Sequence, residues 1–258
     1  MKCLPRPRLI SAALLVVVAV AGLSADDARA DARRFAFVYE TTTMPQGMTE
    51  YEQWVTWKTD KDGDDRYERL EFRQEIEYGL SDRVQVALYF ADWRYTRKSS
   101  GSDTQVRTSS IEVIANVADP ATSAVGAALY GEIKVGAEKF ALEGKVLLEK
   151  DLGGLLLGYN AIVEAEWEDA DWVRHKGVIE QAAGLSWQAS PRVLLGAELL
   201  HEIELPEWSG AEDALLYAGP SASLRKGRVW VTTAALWQLT DVVGATGLQM
   251  RALVGYIF

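Results

Sequence analysis

Arg69-Leu70-Glu71-Phe72-Arg73-Gln74-Glu75-Ile76-Glu77-Tyr78 decides the fold. Arg69, Glu71, Arg73, Glu75 and Glu77 fall at every second position, and Leu70, Phe72, Gln74, Ile76 and Tyr78 fill the positions between them. Successive side chains of a β-strand point to opposite faces, so this run is a strand with one ionised face and one largely apolar face. A helical period of about 3.6 residues would scatter both sets around its circumference.

The same period extends outward from this run. Glu132 and Lys134 alternate with Leu129 and Ile133, Glu143, Lys145 and Glu149 with Leu142, Val146 and Leu148, and Glu164, Glu166 and Glu168 with Val163 and Trp167. Strands are expected near 48–59, 66–79, 83–95, 107–118, 124–136, 140–150, 155–168, 177–189, 193–205, 214–225, 229–240 and 247–258. That makes about twelve, the even number required of a single-chain bacterial barrel. Short connections such as Ser81-Asp82-Arg83 and Ser190-Pro191-Arg192 alternate with longer, more charged ones such as 96–106 and 206–213. Periplasmic turns and external loops differ in this way. The predicted fold is all-β: a transmembrane antiparallel up-and-down barrel over 48–258.

Composition narrows the class further. The 258 residues carry 27 Lys and Arg against 37 Asp and Glu, a net charge of -10, which excludes nucleic acid as a partner. Residues 1–30 read as a signal peptide: Lys2, Arg6 and Arg8 precede an apolar core from Leu9 to Leu23, and Ala28-Arg29-Ala30 offers a cleavage site, with Ala25 as the alternative. Cys3 is the one cysteine, so a mature chain without it has neither disulfides nor thiolate chemistry. After residue 30 no apolar run reaches the ~18–20 residues of a membrane-spanning helix. Residues 31–47 form an N-terminal extended segment, set off from the first barrel strand by Pro45 and Gly47 and read as periplasmic or lumen-entering.

Alternation alone does not say which face meets lipid. A charge facing lipid at the midplane costs roughly 2–4 kcal/mol, so the charged faces must turn inward if these strands cross a bilayer. Tyr78 and Trp187 precede short turns while Trp167 and Trp237 lie near loop-side ends, all on the apolar parity, as two interfacial girdles require. The last strand places Phe258 after Tyr256, Val254, Ala252, Met250 and Leu248 at alternate positions. This resembles the C-terminal signature of outer-membrane barrels, and the resemblance implies an assembly signal at Met250, Val254, Tyr256 and Phe258 read by the barrel assembly machinery. The expected location is the Gram-negative outer membrane, among lipid and lipopolysaccharide.

Several runs resemble those of uncharacterised barrels related to the family named for the meta pathway of phenol degradation. They are 71–83, Asp119-Pro120, Ala128-Leu129-Tyr130-Gly131-Glu132, Leu142-Glu143-Gly144-Lys145, and Tyr159-Asn160 followed by Glu164. The resemblance implies a transporter-like or porin-like role and carries no substrate with it.

The candidate lumen-lining residues are Arg69, Glu71, Arg73, Glu75, Glu132, Lys134, Glu143, Lys145, Glu164, Glu198, Glu202 and Arg251, with Arg225 on the same parity argument. Confined carboxylates must be compensated, either by cross-strand ion pairs that stiffen or plug the barrel or by cations, since acidic rings select cations. A barrel of about twelve strands lies between the filled interior of eight and the open channel of sixteen, so both outcomes stay open. A small-molecule or cation solute is the expected partner, and no cofactor is indicated. Asp60-Lys61-Asp62-Gly63-Asp64-Asp65, with Glu71 beyond it, has some features of a calcium loop. Its glycine stands at the fourth position instead of the sixth, so it reads as a solvated hairpin and no metal ligand is assigned. His175, near Asp169 and Asp171, and His201 are the residues suited to a hydrolase base at neutral pH, and neither sits in a nucleophile motif. The chain is therefore read as non-enzymatic, with a structural or adhesive barrel and an outer-membrane hydrolase as alternatives.

Overall fold

A computed structural model describes residues 33–169 and 171–258, so the signal segment read at 1–30 lies outside the described residues. The wall is built from β1 (Thr49–Lys61), β2 (Asp64–Ser81), β3 (Val84–Tyr89), β4 (Trp93–Lys98), β5 (Gly101–Val106), β6 (Ser109–Ala118), β7 (Gly126–Val135) and β8 (Lys139–Asp151). It continues through β9 (Leu155–Glu168), β10 (Arg174–Ser190), β11 (Val193–Pro206), β12 (Leu215–Lys226), β13 (Val229–Gln238) and β14 (Thr246–Ile257). Every pairing is antiparallel. β1 pairs with β2 on one side and β14 on the other, which closes the sheet, and the short β5, paired with β4 alone, keeps one free side.

Two of the staves are interrupted. β3 and β4 both pair with β2, while β6 pairs with β3 and β5 with β4, so these four segments make two staves and the barrel has twelve. The interruption has a local cause at Asp92: its amide donates to the Thr108 carbonyl at 2.6 Å, its carbonyl accepts from Arg107 N at 2.6 Å, and its carboxylate meets Arg73 at 3.0 Å. An irregularity of this kind re-aims one side chain at the expense of the ladder. Residues 96–106, expected as a loop, instead continue the pairing through β4 and β5 up to a turn at 99–100. Both faces of Gly101–Val106 are mostly exposed, so no alternation was there to mark it as a strand.

The two faces separate by polarity as the alternation requires. Leu129, Ile133, Val146, Val163, Leu185 and Leu195 are exposed, whereas Glu75, Glu112 and Glu198 are buried. In a single-walled barrel a buried wall residue can only face the interior. Ile76 and Leu142 are exposed and Phe72 stacks on Trp93 at 3.9 Å between ring centroids, so the greasy set of the deciding strand lies outside. Tyr78 and Trp187 at the short-turn end and Trp237 at the loop end are exposed, and Trp167 packs beside Phe140 at 5.4 Å. At the C-terminus, Tyr256 and Phe258 point outward with ring centroids 5.1 Å apart, and Phe258 N donates to Thr49 O at the barrel seam.

Val146 faces Leu129 across the β7–β8 ladder near mid-wall, in the middle of this apolar belt. Val146→Arg is expected to destabilise the barrel in lipid vesicles by roughly 2–4 kcal/mol, read from the urea midpoint. A change within about 0.5 kcal/mol, the ordinary scatter of surface substitutions, would mean this face meets water.

Candidate functional site

Residues 33–46 do not join the wall, which the chain reaches at Gly47, whose amide donates to the Gly79 carbonyl at 2.9 Å. Phe35, Phe37, Val38 and Tyr39 are buried at nearly consecutive positions, a pattern no strand face produces, because the segment runs inside the barrel with wall on every side. Its backbone has no sheet partner, so lumenal side chains satisfy it. The Glu198 carboxylate accepts from the amides of Ala36 at 2.8 Å, Phe37 at 2.6 Å and Val38 at 3.2 Å, an anion held by successive amides. Asn160 accepts from Tyr39 N at 2.6 Å and donates to Tyr39 O at 2.9 Å. Glu149 accepts from Thr41 N and Gln85 from Met44 N, while Asn116, Arg251 and Thr232 donate to the carbonyls of Thr41, Ala36 and Arg33.

Side-chain packing holds the same segment. Gly158 and Gly184 face each other across β9 and β10, and their missing side chains make room for the plug. A β-carbon on Gly184 would lie 2.6 Å from the Phe35 ring, and one on Gly158 would lie 2.8 Å from Val38. Lys145 Nζ sits 3.8 Å from the Tyr39 ring centroid and 4.0 Å from that of Tyr130, and the Arg251 guanidinium lies 4.1 Å from the Phe37 ring. The contacts with Tyr39 and Phe37 are cation–π contacts between wall and plug, and that with Tyr130 lies within the wall.

The wall carboxylates form an ascending row. Glu50 faces Glu77, Glu77 faces Ala87, Ala87 faces Glu112, and Glu112, Glu132, Glu143 and Glu164 then follow on adjacent strands. Glu164 faces Val178, which faces Glu204. Glu50 opens β1 at the short-turn end and Glu204 lies near the loop end of β11, so the row climbs the wall, as staggered strands impose. Its upper part is paired with cations. Arg73 meets Glu132 at 2.6 Å, and Lys134 meets Glu143, Glu164 at 2.6 Å and Glu132 at 3.5 Å. Lys145 meets Glu143 at 2.7 Å, and Lys139 bridges Glu164 and Glu166.

The remaining sequence-predicted residues have separate surroundings. Glu71 lies 3.3 Å from Lys58 and 3.9 Å from Arg69. Arg251 donates to Thr56 Oγ1, Glu202 lines the cavity above the plug, and Glu75 is buried below it. Arg225 sits at the short-turn rim, bonded to the Pro191 carbonyl, instead of deep inside. His175 bonds the Val173 carbonyl and His201 is placed between Gln181 and Leu216 in the ladder. In the 60–65 loop the Asp64 carboxylate accepts from the Ser99 hydroxyl at 2.6 Å and from its amide. Those bonds hold its carboxyl below the usual range and leave it tied to a neighbouring hairpin. Sequence reasoning missed Glu50, Glu52, Glu112, Glu180 and Asn160 as interior groups. Glu50 and Glu52 could have been found, since they alternate with Tyr51 and Gln53.

The plug divides the interior. Above it a cavity of about 220 Å³ is lined by Phe37, Tyr39, Glu180 and Arg251 among others, and it shares Lys58, Glu202 and Gln249 with a neighbouring one of about 250 Å³. Below it a cavity of about 90 Å³ is lined by Arg33, Glu50 and Glu77, and Tyr39 borders both sides.

The family model described as a family of unknown function, DUF6662, matches residues 27–249. The chain belongs to that family. The DUF6662 barrel also resembles solved structures. An outer-membrane channel from Pseudomonas putida F1 aligns with TM-score 0.63 and 10% identity, covering 84% of this chain and 98% of that one. The NanC porin aligns with TM-score 0.56 and 7% identity over 80% and 98%. The translocator domain of the autotransporter NalP from Neisseria meningitidis gives 0.50 and 15% over 83% and 90%. No curated protein sequence matches the chain. At these identities the likeness establishes the fold, which is that of outer-membrane barrels. Together with the exposed apolar belt, this places the DUF6662 barrel in the bacterial outer membrane, against lipid and lipopolysaccharide.

Proposed function

We propose that the DUF6662 barrel is a porin-like, non-enzymatic conduit for small polar solutes, closed at rest by its own N-terminal segment. The observation that carries this reading is the way residues 33–44 are held, by side-chain hydrogen bonds from the wall instead of by strand pairing. Side-chain bonds can be exchanged for water one at a time, whereas a paired strand leaves only with its ladder. Above the plug, Glu71, Glu180, Glu202 and Glu204 stand among Lys58, Arg69 and Arg251, with both signs of charge close to balance, while the outer mouth is lined by Glu202, Glu204, Glu212 and Asp213 and by no Lys or Arg among the described residues. A solute bearing positive charge suits it best. Kinship to the phenol meta-pathway barrels belongs to the same proposal, for its transporter-like implication alone, as does recognition of Met250, Val254, Tyr256 and Phe258 by the assembly machinery.

Planar-bilayer recording tests the reading. The intact barrel is expected to be nearly silent, and a barrel lacking residues 33–44 to conduct with cation preference that weakens in Glu202→Gln. If the shortened barrel folds and remains silent, the structural or adhesive alternative takes its place.

A further inference from the structure

The lower end of the glutamate row lacks the lysines of the upper end. Glu50, Glu52, Glu75, Glu77 and Glu112 are all buried there, and Glu50–Glu77 and Glu52–Glu75 stand directly opposite each other across β1 and β2. Like charges directly opposite in a ladder repel. Arg33 of the plug forms an ion pair with Glu52 at 3.1 Å. Glu52 also accepts from the Trp54 indole at 2.6 Å, Glu50 from the Trp230 indole, and Glu112 Oε2 from the Tyr89 hydroxyl at 2.6 Å. Both oxygens of Glu75 and Oε1 of Glu112 remain buried without a hydrogen-bond partner. Carboxylate oxygens of Glu75, Glu77 and Glu112 lie within 4.8 Å of one another. An ionised carboxylate in such a place needs a positive charge facing it.

We propose that Glu75, Glu77 and Glu112 bind a divalent cation, calcium in preference to magnesium. Three oxygens no more than 4.8 Å apart lie within about 2.8 Å of a common point, so small side-chain shifts bring all three to the ~2.3–2.6 Å typical of calcium–oxygen bonds. The donor set is all hard oxygen, with neither histidine nor thiolate, which disfavours zinc and copper. Glu75 has two uncommitted oxygens and so can chelate through both, a mode calcium accepts in its irregular shells. Magnesium demands a near-ideal octahedron with bonds of ~2.0–2.1 Å, a smaller shell than oxygens spread over as much as 4.8 Å form readily. The adjoining cavity of about 90 Å³, lined by Glu77 and Glu50, connects the site to the short-turn end. An ion there would tie β2 to β6 beneath the plug. The sequence offers no ligand spacing for it because the three glutamates come from two different hairpins, which explains why no metal was expected.

The test uses the folded barrel in detergent free of lipopolysaccharide, stripped with chelator and titrated with calcium chloride. Native mass spectrometry is expected to show one tightly held calcium per barrel, and added calcium to raise the unfolding temperature. Both effects should be lost in Glu75→Gln and survive a matching excess of magnesium in the wild type. If Glu75→Gln fails to fold, Glu112→Gln is read the same way. A stripped wild-type barrel that takes up no calcium overturns the site, and shared protons then neutralise the cluster. Calcium retained in full by a folded Glu75→Gln or Glu112→Gln barrel also overturns it, by locating the ion elsewhere.

Discussion

Replacing Gly184 by leucine expels the N-terminal segment from the lumen. The added β-carbon alone would stand 2.6 Å from Phe35 Cε1 and 2.7 Å from Cδ1, closer than nonbonded carbons approach, and the rest of the leucine would need the volume the ring now fills. Neither side has slack. β10 is paired along its length to β9 and β11, so the wall cannot step back, and Phe35 is completely buried. Overpacking a filled interior costs about 1–3 kcal/mol or more, while the plug is held by scattered side-chain bonds. The plug therefore yields before the wall. Trypsin should cut after Arg33 or Arg34 rapidly in Gly184→Leu and slowly in wild type, with the barrel band keeping its heat-modifiable migration. Single-channel current should rise in the same variant. Gly158→Ala, whose added carbon meets Val38 at 2.8 Å, should show the same effect more weakly. Equal protection of Arg33 and Arg34 in a folded Gly184→Leu barrel would mean that the plug is not seated on these glycines.

The separation between what could and could not be read from the sequence has a physical origin. Period-two alternation is written within a single strand, so residues 69–78 announced their faces without help from the rest of the chain. The break at 90–92 depends on bonds from Asp92 to Thr108 and Arg107, partners on another stave, and left no local trace. The plug was harder still. Phe35 to Tyr39 looks like any short apolar run, and the groups that hold it, Glu198 and Glu149, lie 161 and 108 residues away from their partners Phe37 and Thr41. The interior candidates could be named by parity, but their grouping could not. Which glutamates share a lysine and which crowd together follows from the register between strands, and the closure of the barrel sets that register.

Register also explains why one lysine matters more than its neighbours. Lys134 follows Glu132 on β7 by two residues and faces Ala141 on β8, so its ammonium reaches diagonally into the gap between Glu143 and Glu164. Removing it with Lys134→Met keeps the volume and the apolar stem while leaving Glu143 and Glu164 short of one cation. Each retains another, Lys145 at 2.7 Å and Lys139 at 3.2 Å, and Glu132 retains Arg73. Breaking a buried pair from one side costs about 3–5 kcal/mol, and with these second partners the low end, about 3 kcal/mol, is expected in the urea unfolding of the vesicle-inserted barrel. Adding Glu143→Gln to Lys134→Met removes one of the stranded charges and should restore part of the loss, a coupling that a double-mutant cycle isolates. A single Lys134→Met barrel as stable as wild type would mean that the upper row carries protons or water in place of this ammonium, and its ion pairs would then contribute little to holding the wall.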